Sequence, residues 1–399
     1  MLERIDLNKT YQFLLVILAF LMPITVAGAN IIVVFICFLW LFSGNYKSKF
    51  YQISSNKLML ASIAFFSLHV VGLAWTEDLS WGLHIVHKMW YFLLFFPILY
   101  TIVSRKYITY YISAFLLAMS ITEILSYLIW FEVILPFKNA TAFNPTPFMS
   151  HVSYNPILAF AIYLVLHKIL ITKNLGKFQL FLFIFFAISM SINMFITGGR
   201  AGYIMYFVML GILSFQYYNF NKIKALFAAL IIVPVVFFSA YQTSIMFNER
   251  VDRTYENITN YSENKTSSVG QRITYAINSW DIIKQSPFIG VGTGDFPVEY
   301  KKMNMVNTPS LINTTNPHNM YILVLVQLGL LGLASLLSIF YYQMKFSFYA
   351  SNRLISDVGF TLPALFLVIM WSDAYLLGHF TTLMFVFFSS FLHKNFEKP

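Results

Sequence analysis

The chain holds one cysteine in 399 residues, Cys37, and that one lies inside an apolar run. This excludes an internal disulfide and any metal site built on cysteine pairs. Charge is also scarce: Asp, Glu, Lys and Arg make up 11% of the residues, against about a quarter in a soluble domain. No two histidines stand with a glutamate in the H-E-x-x-H spacing of a zinc enzyme, so a metal is not expected. The glycine-rich run Gly290-Val291-Gly292-Thr293-Gly294 follows no expected strand. It reads as a tight turn and not as a nucleotide loop.

What fills the chain instead is hydrocarbon. Hydrophobic residues account for 58%, and apolar runs of about 20 residues recur, the length that crosses a bilayer as a helix. The expected fold is an all-α polytopic membrane protein. We place about twelve transmembrane helices near 11–27, 29–43, 58–74, 87–103, 108–130, 155–171, 178–196, 201–219, 223–241, 318–341, 357–372 and 374–392. The first run lacks a small-x-small exit and reads as a spanning helix, not a cleaved signal.

The net charge is +10, and its distribution argues against nucleic acid. The basic surplus sits in alternate short loops: Lys47, Lys49 and Lys57; Arg105 and Lys106; Lys168, Lys173 and Lys177; Lys222 and Lys224; Lys345 and Arg353; Lys394 and Lys398. The positive-inside rule makes that set cytoplasmic, together with both termini. Arg4, at the start of the chain, falls on the same side. The other loops face outward, including the long one at 242–317, periplasmic if the cell is Gram-negative. The expected organisation is one integrated membrane domain: an N-terminal bundle (1–241), the long loop with short helices (242–317) and C-terminal spans (318–399).

A loop this long is more than a connector. Ile273, Ala276, Ile277, Trp280 and Ile283 recur at helical spacing before Pro287. They predict an amphipathic helix over about 270–285, suited to lie on the membrane face.

Outward arginines gain nothing from the orientation rule and need another reason. Arg200 sits in Thr197-Gly198-Gly199-Arg200-Ala201-Gly202 between two spans, close to the membrane boundary. A charge at that depth faces a polar cavity or a partner, or else snorkels to headgroups. Arg272 falls at the start of the expected loop helix, where a helix N-terminus and a guanidinium together suit phosphate. Arg250 and Arg253 alternate with Glu249 and Asp252 and read as local ion pairs. Of the eight histidines, His318 has the most telling context. Asn316-Pro317-His318-Asn319 leads into a span, and Pro317 suits the first turn of a helix. The imidazole is then held at the outward mouth of the span. His84, His87 and Lys88 open another span on the same side.

Four motifs in order resemble the bacterial O-antigen ligase and O-antigen polymerase superfamily. They are Thr197–Gly202, Gly270-Gln271-Arg272, Gly290–Phe296, and Pro317-His318-Asn319-Met320-Tyr321 running on to Gln327-Leu328-Gly329-Leu330-Leu331-Gly332. The resemblance implies a membrane glycosyltransferase that needs neither metal nor other cofactor. It would move polysaccharide from undecaprenyl diphosphate onto the lipid A-core oligosaccharide, at the periplasmic face of the inner membrane, with lipids as its surroundings. Carried over, Arg200 and Arg272 hold the donor diphosphate and His318 acts at the acceptor hydroxyl. Asp373 resembles a further acidic position, with Asn319 and Lys88 in support. Two other readings stand beside this one. One is a polymerase joining lipid-linked repeats, but Arg272 lacks a glycine at the expected spacing. The other is a flippase, but its spans would carry more charge than Glu123 alone.

Overall fold

The computed structural model describes residues 6–141, 143–171, 175–219 and 221–396. Arg4, Lys173 and Lys398 lie outside the described residues. Among those described, every regular element is helical. Seven helices are long and apolar enough to cross a membrane, and an eighth is added if Val26–Phe42 and Tyr46–Ser54, bent by 117°, form one broken span. The expected twelve is therefore not reached by length and composition. Two apolar runs become shorter helices, Leu7–Leu21 and His379–Leu392. The run at 29–43 turns sharply at Gly44 and Asn45, both at positive φ, a region that suits Gly and Asn.

Helix starts follow their caps. Asp6, Asn56, Asn221, Ser267, Asn319 and Asn352 each accept a backbone N–H from the first turn that follows. Such caps contribute about 1 kcal/mol each by meeting an otherwise orphaned donor.

The chain divides into two compact units: Met1–Ile36 with Ser104–Asp252, and Cys37–Val103 with Arg253–Pro399. In the first, the His151–Ile171 helix is the most enclosed span, and Lys222–Thr243 is the least, with 11% of its apolar window buried. The latter is therefore a peripheral helix. His151–Ile171 packs closely on Arg200–Tyr217 because glycine faces Asn155. A Cβ at Gly202 would lie 2.2 Å from the Asn155 Cβ, and one at Gly199 would lie 2.6 Å from its Cγ. Gly202→Ala should therefore destabilise the protein by about 1–3 kcal/mol through overpacking. Gly211→Ala, where nothing lies within 4 Å, should be neutral or slightly stabilising. Thermal unfolding in detergent checks the pair, and equal melting temperatures would refute the packing argument.

In the second unit the Met320–Tyr349 helix is the axis. The expected loop helix is present as Ser268–Gln285, followed by Phe296–Asn307. These two and the axial helix close on one core of Tyr275, Ile282, Ile283, Phe296, Tyr300, Leu323 and Val326. The buried face of Ser268–Gln285 is thus turned to protein. Ile277 and Trp280 lie on its opposite, exposed side.

Candidate functional site

His318 does not join the helix that follows it. The expected start at Pro317–His318 is displaced to Met320, because Asn319 caps the helix and His318 adopts φ +52°. A non-glycine residue in that region costs about 1–3 kcal/mol and persists only where its surroundings impose it. Here they do. The His318 N–H donates to Asn316 Oδ1 at 2.9 Å, an Asx-type turn. Asn316 in turn is held by Thr314, whose Oγ1 accepts the Asn316 N–H at 3.2 Å and donates to its carbonyl at 2.8 Å.

The turn aims the imidazole at Asp373, which follows the Arg353–Ile369 helix. His318 Nδ1 lies 3.2 Å from Asp373 Oδ2. Asp373 Oδ1 accepts from Asn316 Nδ2 at 2.8 Å and from the Ala374 N–H at 2.7 Å. A carboxylate can only accept, so Nδ1 carries the hydrogen, and in the neutral form of the ring Nε2 is the atom with the free lone pair. The His318 side chain is 35% exposed and that of Asp373 20%. The imidazole is accessible while the carboxylate is the more sheltered of the two.

Burial works against the Asp373 charge. The hydrogen bond and positive charge available from His318, with the Ala374 and Asn316 donors, outweigh burial and hold the carboxyl below its usual range. A depressed carboxyl stabilises the fold at every pH above its unfolded value, and loses that contribution as pH falls through the depressed one. Asp373→Asn should therefore melt below the parent from neutral pH down to about pH 5, and the gap should close only in more acidic solution. Melting curves across pH test this; a gap that closes between neutrality and pH 5 would refute it.

Arg272 lies within electrostatic reach of residues beside this pair. Its charge acts on Tyr275 and on Tyr375, two residues beyond Asp373. The Tyr275 ring stacks on His318 with centroids 6.3 Å apart and planes at 23°. Asn319 has a positioning role: its Oδ1 caps the helix through Tyr321 and Ile322, and its Nδ2 donates to the Trp371 carbonyl at 3.2 Å. With Met320 N–H donating to the Met370 carbonyl at 2.8 Å, this fastens the His318 turn to the segment that carries Asp373. Lys88 ends the Leu79–Lys88 helix, and among the described residues no hydrogen bond or ion pair joins it to this cluster.

Arg200 belongs to the other unit, at the first position of Arg200–Tyr217. Its motif is ordered by Asn155 and Asn144. Thr197 Oγ1 donates to Asn155 Oδ1 at 2.7 Å, and the Gly198 N–H donates to Asn144 Oδ1 at 3.0 Å. A Cβ at Gly198 would come within 2.9 Å of the Arg250 guanidinium. The charge of Arg250 also reaches His151 and Tyr203. Arg250, read from the sequence as a local ion-pair partner, therefore also abuts the Thr197–Arg200 turn. Arg250 and Asn316 are the residues that sequence reasoning missed. An Asn two places before a functional residue, in Asn-Pro-His, is a turn signal that could have marked Asn316.

The glycine run has a structural task. The Gly292 and Val291 N–H groups donate to the Gln327 and Val326 carbonyls at 3.1 and 2.9 Å. The Gly294 N–H reaches Gln327 Oε1 at 2.9 Å. These bonds lie where the axial helix breaks at Gly329, φ +59° and ψ −155°. Asp295, buried, then accepts from Thr76 Oγ1 and from the Glu77 and Asp78 N–H groups at 2.6, 2.7 and 2.9 Å.

The family model described as O-antigen ligase matches residues 182–337. That stretch carries Arg200, Arg272, His318 and Asn319, while Lys88 and Asp373 fall outside it. An uncharacterized protein of Haemophilus influenzae is 29% identical over 208 residues, 49% of this chain and 51% of the relative. The chain thus spans about half the length of that relative.

Proposed function

We propose that this chain, which belongs to the O-antigen ligase superfamily through residues 182–337, is an O-antigen ligase. It transfers glycan from undecaprenyl diphosphate to the lipid A-core oligosaccharide on the periplasmic face of the inner membrane. The observation that carries the reading is the His318–Asp373 pair at 3.2 Å, with Asn316 bonded to both partners. It is an oriented, accessible base at the end of an apolar helix, where a lipid-anchored sugar can reach it.

In this reading the acceptor hydroxyl oxygen attacks the anomeric carbon as the bond to the donor diphosphate breaks. The hydroxyl proton passes to His318 Nε2, and Asp373 stabilises the imidazolium that forms. The diphosphate leaves as its charge is met by guanidinium. Arg272 is the donor-binding residue beside this pair. Arg200 is assigned the same task on the strength of its motif. Attack opposite the leaving group inverts the anomeric centre.

Purified protein with lipid-linked donor and lipid A-core acceptor tests the proposal. The expected product is glycan on the core, of inverted configuration; elongation of the donor instead would make the protein a polymerase. Arg272→Ala should raise the donor KM and lower kcat about 10–100-fold. Arg272→Lys should recover only part of this, because an ammonium cannot bind two phosphate oxygens side by side. Full recovery by lysine would remove the bidentate role.

A further inference from the structure

We infer that the helical hairpin at 268–307 is re-entrant, with its apex, Pro287–Ile289, immersed in the acyl chains of the leaflet on the His318 side. The inference concerns a lipid-contact surface and stands apart from the reaction.

The depth follows from hydrogen bonds to a spanning helix. The Leu330 N–H donates to the Pro287 carbonyl at 2.9 Å, and the Leu331 N–H to that of Phe288 at 3.2 Å. The apex therefore lies level with residues 330 and 331 of Met320–Tyr349. Two counts fix where the hydrocarbon ends. Charged side chains stay out of it, and about 20 helical residues span it. Counting from Lys345 towards His318 puts the boundary near residue 325. Counting from Lys57 along its own helix puts it near residue 77, at the acidic pair Glu77 and Asp78. The two counts agree in space, because a Cβ on Gly72 would lie 2.7 Å from the Leu328 side chain. Five or six residues below residue 325, at 1.5 Å each, set the apex about 5–10 Å inside.

The hairpin's chemistry changes at the same level. Asp281 and Lys284 pair at 3.0 Å near the end of the descending helix, beside the stretch packed on Leu323 and Val326. Beyond them the apex presents Phe288 and Ile289, 67% and 49% exposed, next to Leu330 and Leu331 at 49% and 56%. Four adjacent large apolar side chains at this depth face lipid. Backbone can enter hydrocarbon only with its polar groups paired. Here the break at Gly329 supplies the partners. Beyond the two bonds above, Gly290 N–H donates to Ser286 O at 3.0 Å, and Val291 and Gly292 donate to the opened turn of the axial helix. The descending helix packs through Tyr275 on His318, so the immersed apex anchors the element that fixes the height of the imidazole above the bilayer.

Spin labels read this depth directly. With Cys37→Ser as background, single labels are placed at Phe288→Cys, Ile289→Cys, Leu331→Cys and Val306→Cys in the full chain in liposomes. Val306 is 79% exposed near the hairpin's far end. Labels at 288 and 289 should favour oxygen over a water-soluble nickel chelate, as at 331, with the ratio shifted towards nickel at 306. Labelling by a membrane-impermeant maleimide should fail at 288 and succeed at 306. Either apex label matching the nickel exposure at 306 overturns the inference. If one apex variant fails to fold, the other decides. Transfer activity plays no part in the readout, so the inference and the proposed reaction fail separately.

Discussion

Replacing His318 with alanine should lower the transfer rate by about 10²–10⁴-fold, the usual contribution of a positioned general base. Binding of lipid-linked donor should remain. The expectation rests on what the fold does for this side chain. It holds a non-glycine residue at φ +52°, supports that turn through Asn316, and supplies a carboxylate to Nδ1 at 3.2 Å. Such strain is unneeded if the imidazole only fills space. His318→Gln separates the two roles: it keeps a polar side chain of similar reach but cannot take a proton near neutral pH, so it should be as slow as alanine. Single-turnover measurements at saturating donor check both variants. Activity within threefold of the parent in either would exclude His318 as the base.

Gly294→Ala should be among the most damaging single-methyl changes in the second unit, costing several kcal/mol. Two costs add. Gly294 has φ +93°, a conformation an L-residue adopts only with about 1–3 kcal/mol of strain. Its new Cβ would also stand 2.4 Å from both the N and the Cα of Gly82. Those are backbone atoms that cannot swing aside, so overpacking contributes about 1–3 kcal/mol more. Gly44 is the internal control. It has φ +68° but nothing within 4 Å of a built Cβ, so Gly44→Ala should show the strain alone. Comparing melting temperatures of the two variants in detergent isolates the packing cost, and equal losses would mean the Gly82 contact is loose. Gly294→Ala should also reduce transfer, because the run it belongs to closes the break in the helix that begins beside His318.

Apolar runs and sparse charge determine a helical, multi-span chain, because bilayer thickness acts on any 20-residue stretch regardless of its neighbours. Helix starts were legible to within a few residues, at about 270 and at Pro317–His318, while the caps that set them, Ser267 and Asn319, showed only in the structure. The periodicity of Ile273, Ala276, Ile277, Trp280 and Ile283 marked a helix correctly. It did not divide the helix into its two faces, since Ile283 meets protein while Ile277 and Trp280 do not. That division depends on what packs alongside. An apolar run does not reveal where its helix stops short or bends, as at Leu7–Leu21, at His379–Leu392 and at the 117° turn after Phe42.

His318 and Arg272 stood out in the sequence alone, through a proline-bounded turn, an outward position and the order of motifs. Only the tertiary structure decided what surrounds them. Asp373 is 55 residues from His318, and Asp295 is more than 200 residues from the Thr76–Asp78 turn it secures. Hydropathy, periodicity and capping are properties of neighbours along the chain. An orienting carboxylate, a glycine pressed against another glycine, and a loop sharing backbone hydrogen bonds with a broken helix are properties of neighbours in space.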